Sequence, residues 1–259
     1  MKKNKIFGCF CLLTGLLSLY YGVIQYSPYY ENIRAMDGLR GQVMNIDSHG
    51  VKNRESFKGS VHESPDDDMT NEKATNNVRI DFTSLRRINT DITGWIYIPG
   101  TCINYPVLQG DFIEEYLNKG YDGRENSLGS IFTYPEVNIK CDRHSILFGH
   151  RTFDRQMFGD LELFDDPEFG RTHRVFLYTE DFCREYEVIA SYLCMASDDS
   201  FNTEYDGETY IQLIASNARG NGWMAEVDAG DINTILTLVT CPSENSENYR
   251  RVVQCINRN

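Results

Sequence analysis

The sequence predicts a mainly β fold with added helices, closed into a barrel. Short apolar runs rich in Val, Ile, Tyr and Phe recur from residue 94 to residue 256, parted by Gly, Pro, Asn and Asp. The chain carries 16 Tyr and 14 Phe, residue types that fit the half-buried pleated surface of a strand. Few stretches between these runs have helical spacing, which argues for a closed barrel over a parallel sheet wrapped by helices. A length of 259 residues allows one large domain or two small ones. The formal net charge of −13 leaves no basic face for phosphates, so nucleic acid is excluded as a partner and the acidity reads as a solvated surface.

Taken in order, the elements begin with a basic tail over 1–5, where Lys2, Lys3 and Lys5 precede a stretch from Ile6 to Tyr26 without charge. Roughly 20 such residues cross a bilayer as a helix, and basic residues ahead of it orient the N-terminus to the cytoplasm. The expectation is an uncleaved anchor over 6–26 in contact with lipid, a single-pass placement in the cell membrane, and the bulk of the chain outside. A cleaved signal peptide fits less well, because the apolar core runs into bulky tyrosines rather than a small-x-small site. Residues 29–45 have near-helical apolar spacing, weakened by Gly38 and Gly41. From Asp47 to Asn77 the chain is polar, so 27–77 reads as a helical and polar stalk and the folded domain spans 78–259.

Within that domain, Phe82, Leu85 and Ile88 have the spacing of a short amphipathic helix. Gly94–Gly100 reads as a strand closed by a Pro-Gly turn, and Ile103–Leu108 as a second extended run. Phe112–Asn118 fits a helical turn. The remaining strands are expected over Gly129–Tyr134, Ser145–Phe148, Arg174–Tyr178, Tyr186–Met195, Thr234–Thr240 and Val252–Ile256. Glu208–Arg219 has helical spacing and is followed by Gly220, a natural stop, which puts a helix in the insertion before the late strand.

Three of these runs end on chemistry. Ile235–Thr240 leads into Cys241, His144–Gly149 leads into His150, and Arg250 and Arg251 open the last strand. A thiol attacks a carbonyl as thiolate, so it needs a partner that keeps it ionised. Imidazole can do this and then protonate a leaving amine, while a fixed cation can hold the oxyanion. Taken singly, a strand-end cysteine is more often a small buried residue, and a lone histidine or arginine there is usually structural or solvated. None of the eight cysteines forms a C-x-x-C pair, so no metal site is expected; Cys9 and Cys11 read as small lipid-facing residues, and the five non-nucleophilic ones of the folded part are expected as buried free thiols, with one disulfide as the alternative. His144 and His150 are too far apart on a strand to chelate together.

The pattern resembles the sortases, and class B most closely. The residues that carry the resemblance are Thr240-Cys241 after Thr-Leu-Val, an arginine ten residues later before Val-Val, and Ile146–His150 followed by Met157–Leu161. Gly94–Gly100, Ile103–Gln109, Tyr116–Asn118 and Gly129–Phe132 extend it over 81–259. The resemblance implies an eight-stranded barrel and a cysteine transpeptidase without a cofactor. Such an enzyme cleaves a C-terminal sorting signal after Thr, holds the protein as a thioester on Cys241, and passes it to an amine of a cell-wall precursor or a pilin lysine. By motif, His150 is the general acid/base and Arg251 the transition-state arginine, with Arg250 as its rival. Surface proteins bearing the signal would be the partners. Asn104, Tyr105 and Thr240 are the expected substrate-binding residues, together with the 208–219 helix. Pro242 and Val239 depart from the family pattern at positions that touch substrate in it, and Thr133-Tyr134 stands where an aspartate often follows in related sequences.

Other cysteine acyl-transferases fit less well. An L,D-transpeptidase-like site has a Ser-x-Gly-Cys turn, and a papain-like cysteine precedes its histidine at a helix start. The reading from another class is a non-catalytic, membrane-tethered β-domain such as an adhesin, in which Cys241 would be inert.

Overall fold

The computed structural model describes residues 2–46, 78–204, 207–242 and 248–258. Eleven strands are present in them: β1 (Met44–Ile46), β2 (Val78–Ile80), β3 (Ile92–Tyr97), β4 (Asn104–Leu108), β5 (Ile131–Thr133), β6 (His144–Phe148), β7 (Arg174–Tyr178), β8 (Cys183–Met195), β9 (Gly222–Met224), β10 (Ile232–Thr240) and β11 (Tyr249–Arg258). Eight close into the expected barrel in the order β11-β10-β6-β5-β4-β3-β7-β8, and β8 pairs back onto β11. Strand β9 hangs on the outer side of β8, and β1 pairs with β2 in a separate ribbon. Two contacts in the ring are parallel, β4 with β5 and β6 with β10. The second of these parallel contacts positions the site.

The late strands read as continuous apolar runs because both of their faces are covered. Leu236, Leu238, Val253 and Cys255 point into the barrel core beside Leu147, Leu177 and Phe158. Ile235, Val252 and Ile256 point the other way, against α4 (Gly207–Asn221). That helix buries Tyr210, Ile214 and Ala218, one stripe at four-residue spacing, and it runs just past the expected stop at Gly220. Helix α2 (Phe82–Ile88) forms as expected; Asp81 caps it by accepting from Ser84 N at 3.0 Å, and Phe82 and Leu85 are buried.

The N-terminal region departs from its sequence reading. One helix, α1 (Lys2–Val43), runs through the expected anchor and on into the expected stalk. Among the described residues no helix is long and apolar enough to cross a membrane. Thr14, Ser18, Gln25 and the tyrosines near them interrupt the apolar run, and the same helix continues into Glu31, Arg34 and Asp37. This corrects the expected single-pass placement with a cytoplasmic N-terminus, and it leaves the expected lipid contact over 6–26 unsupported. The end of α1 is also part of the folded body. Leu39 and Val43 are buried with Trp95, Leu85 and Leu108, and Tyr29, Ile33 and Met36 pack on the barrel. The polar stretch 47–77 lies outside the described residues. Strands β1, β2 and β9 and helix α3 (Pro167–Thr172) had no sequence signal, being three to six residues long and too short to show a period.

Candidate active site

Strands β6 and β10 run side by side in one direction, with Ile235 beside His144 and Val239 beside Phe148. Parallel strands end at the same edge, and residues in register share a face. One step on, Gly149 N donates to Val239 O at 3.1 Å and Thr240 Oγ1 donates to Gly149 O at 2.8 Å. The next step brings His150 alongside Cys241. On the other side of β10 the pairing with β11 is antiparallel, with Val239 opposite Val252 and Thr240 opposite Arg251. Continued by one residue, that register sets Cys241 opposite Arg250 on one face. Cys241, His150 and Arg250 accordingly line one groove of about 390 Å³.

Arg251 is not in that groove. It shares a face with Val253 and Cys255 at the end of the barrel interior, is 9 % exposed, and ion-pairs with Asp165. Ser191 Oγ donates to the same carboxylate at 3.2 Å. Strand alternation thus turns Arg251, the expected arginine, inward, and its rival Arg250 toward the groove that Cys241 lines. Arg250 Nη1 donates to Tyr249 O at 2.9 Å.

The imidazole of His150 is held by Leu117 O, 2.7 Å from Nε2. A carbonyl oxygen only accepts, so the proton lies on Nε2 and Nδ1 is the nitrogen left for chemistry. Phe158 N donates to His150 O at 2.8 Å and fixes the backbone. Gly129, at φ +60°, makes the close approach possible: a Cβ there would collide with Leu117 O and lie 3.0 Å from His150 Cδ2.

The groove floor is aromatic. Phe132 stacks on Phe148 at 5.7 Å, Tyr134 meets Phe148 edge-on at 5.0 Å, and Phe201 lies 6.4 Å from Phe148. Ile113, Leu117 and Glu114 supply another wall. Sequence reasoning missed these residues, although exposed apolar side chains at Phe112 and Ile113 are the kind of signal that marks a binding surface. Of the expected substrate-binding residues, Thr240 lines the groove and ties the two strand ends together. Asn104 and Tyr105 do not reach it. Asn104 Oδ1 accepts from Trp95 Nε1 at 2.6 Å and its backbone O from Arg40 Nε at 2.8 Å. Tyr105 is 2 % exposed and its ring carries the Arg40 guanidinium at 4.6 Å. Both seat α1 on the barrel. Helix α4 likewise stays outside the groove lining.

Behind the wall at Phe201 sits a closed polar network. His144 Nε2 lies 2.8 Å from Thr237 Oγ1 and 3.3 Å from Tyr210 OH. Thr237 donates to Gln254 Oε1, and Gln254 Nε2 donates to Tyr192 OH and Tyr210 OH. Tyr192 OH meets Ser200 Oγ at 2.8 Å, which fixes the turn bearing Phe201. Burial lowers the His144 pKa to about 4, so the ring is neutral.

The six cysteines described by side chain are free. Cys194 and Cys255 are buried as expected, whereas Cys102, Cys141 and Cys183 are exposed. Burial pushes the Cys194 thiol up to about 12 and pushes Cys255 up as well, which makes both poor nucleophiles.

The family model of the sortase domain matches residues 96–257. The chain belongs to the sortase family. Sortase B of Staphylococcus aureus is 32 % identical over 188 residues, covering 71 % of this chain and 77 % of that protein. Sortase B of Listeria monocytogenes is 32 % identical over 196 residues, with 71 % and 78 % covered. Among solved structures, a Staphylococcus aureus sortase B–substrate complex superposes with a TM-score of 0.59 at 31 % identity over 68 % of this chain and 83 % of the other. Sortase B of Clostridium perfringens gives 0.61 at 28 %, over 69 % of this chain and 100 % of that one. The relatives place the chain in class B, and the family's activity is that of a transpeptidase.

Proposed function

We propose that this class B sortase cleaves a C-terminal sorting signal after Thr and transfers the protein to an amine of a cell-wall precursor or a pilin lysine. The observation that carries the reading is the convergence of Cys241, His150 and Arg250 on one face at the ends of three neighbouring strands. His150 Nδ1 takes the proton of the Cys241 thiol, and the thiolate adds to the scissile carbonyl. The guanidinium of Arg250 stabilises the oxyanion, the role the sequence pattern assigns to Arg251. As the C–N bond breaks, His150 passes its Nδ1 proton to the leaving amine, and a thioester remains. An incoming amine then attacks the thioester carbon and yields its proton to His150. The C–S bond breaks and the thiolate returns. An amine acceptor is in keeping with a sortase B structure complexed with triglycine, and a peptide donor with the Staphylococcus aureus substrate complex. Thr240 and the aromatic floor would hold the donor peptide, and the domain over 78–259 would need the end of α1 to be complete.

The test is mass spectrometry of the protein after incubation with Asn-Pro-x-Thr and Leu-Pro-x-Thr peptides. An acyl adduct on Cys241, discharged by an added amine, is expected from at least one. No adduct from either peptide, with Cys241 still open to alkylation, would overturn the reading.

A further inference from the structure

Helix α1 reaches two loops next to His150, the one that leaves it and the one whose Leu117 and Gly129 lie against its imidazole. Tyr29 OH donates to the Asp154 carboxylate, and its ring stacks on Phe153 with centroids 5.8 Å apart. One turn on, Asn32 Nδ2 donates to Asn126 Oδ1 at 2.7 Å. The first contact holds the loop that leaves His150. This loop closes where Phe158 N returns to His150 O, and it carries Arg155 and Met157 at φ 66° and 56°. Positive φ at such side chains costs about 1–3 kcal/mol each and persists where surrounding contacts enforce it. The second contact holds the loop that supports the ring. Asn126 O accepts from Gly129 N at 2.9 Å, and Gly129 lies against His150 beside Leu117 O. A cavity of about 20 Å³ lies between α1 and these loops, lined by Asn32, Met36, Tyr105, Asn126 and Gln156. Nothing larger than a water fits there, so movement of α1 is passed directly to both loops.

We propose that Tyr29 and Asn32 are positioning residues for His150, so that α1 sets the orientation of the general acid from outside the barrel. The inference rests on the reading of His150 as that acid. Neither residue touches the groove, so their loss acts through the imidazole and leaves donor-peptide binding unchanged. A misplacement of about 1 Å in a reacting group costs on the order of 100-fold in rate.

Full-length Tyr29→Phe, Asn32→Ala and the double variant would be compared with the wild type. Ser27→Ala serves as control, since that hydroxyl faces Glu31 on the exposed side of α1. The readouts are kcat and KM for peptide cleavage, the pH profile of Cys241 alkylation, and Tm. Expected are a kcat lowered about 10–100-fold in the double variant with KM unchanged, a displaced alkylation profile, and a Tm close to wild type. Tyr29→Phe keeps the ring stack and so should lose less than Tyr29→Ala. Wild-type kcat and an unmoved alkylation profile in the double variant would overturn the inference, as would a kcat loss that only tracks Tm. Alkylation needs no substrate, so the positioning claim stands or falls even if neither peptide acylates the wild type, a result that would sink the transpeptidase reading by itself.

Discussion

Acid should destabilise this protein through His144. The ring is 6 % exposed, its pKa is lowered to about 4 by burial, and a bond to the Asn202 backbone only partly offsets this. In the unfolded chain the ring titrates near 6.5, so between about pH 6.5 and 4 the unfolded state binds the extra proton. Stability is therefore lost as pH falls through that window. The full difference corresponds to about 3 kcal/mol, of which about 2 kcal/mol is lost between pH 7 and pH 5. Other titrating groups contribute too, but they are shared with a His144→Gln variant, which can still meet Thr237 and Tyr210. Urea unfolding of both proteins at pH 7, 6 and 5 isolates the histidine. The wild type is expected to lose about 2 kcal/mol more than the variant over that range. Parallel curves would refute the reasoning. Because the network reaches Ser200 and the turn of Phe201, KM for the donor peptide should rise over the same window.

Replacing Cys241 with Ala should abolish the acyl adduct and leave the fold intact, whereas single changes at the buried Cys194 and Cys255 should cost stability alone, as peptide mass spectrometry and thermal melts would show. Arg250→Ala should lower kcat by about 10²–10³-fold. Arg251→Ala should instead lower stability by about 1–3 kcal/mol through loss of its contact with Asp165, and the reverse order in steady-state kinetics and urea melts would return the oxyanion role to Arg251. Gly129→Ala forces a Cβ onto Leu117 O at a backbone φ of +60° and should reduce kcat more than it reduces peptide affinity, measurable as a split between kcat and KM. In competition between peptides differing only in the first signal residue, the proposed reading expects Asn to be preferred over Leu, and a clear excess of kcat/KM for Leu would refute that expectation and point to the aromatic floor as the specificity surface.

The positions of Cys241 and His150 were legible because each ends an apolar run, and a residue at a strand end is exposed at the rim whichever strand lies next to it. Which arginine faces the groove was not legible. Arg250 and Arg251 differ by one residue, and one residue reverses the face. Which of them meets the thiol depends on how β11 registers against β10, and the turn joining them includes 243–247, outside the described residues. Asn104 and Tyr105 looked like binding groups because they are polar on an apolar strand. Their partners Arg40 and Met44 lie about sixty residues upstream, across the polar stretch, and no local pattern announces such a contact. The same distance hid the role of α1. Its inward positions 29, 32, 33, 36 and 43 form a helical stripe, but a run without charge just ahead of it drew the reading toward a bilayer. Chemistry could thus be read where a single residue carries it, and was lost where two distant segments have to meet. The proposed positioning of His150 is of the second kind: Tyr29, Asn32, Asn126 and Asp154 are individually ordinary polar residues, and only their pairing between α1 and the two loops beside His150 gives them a shared consequence.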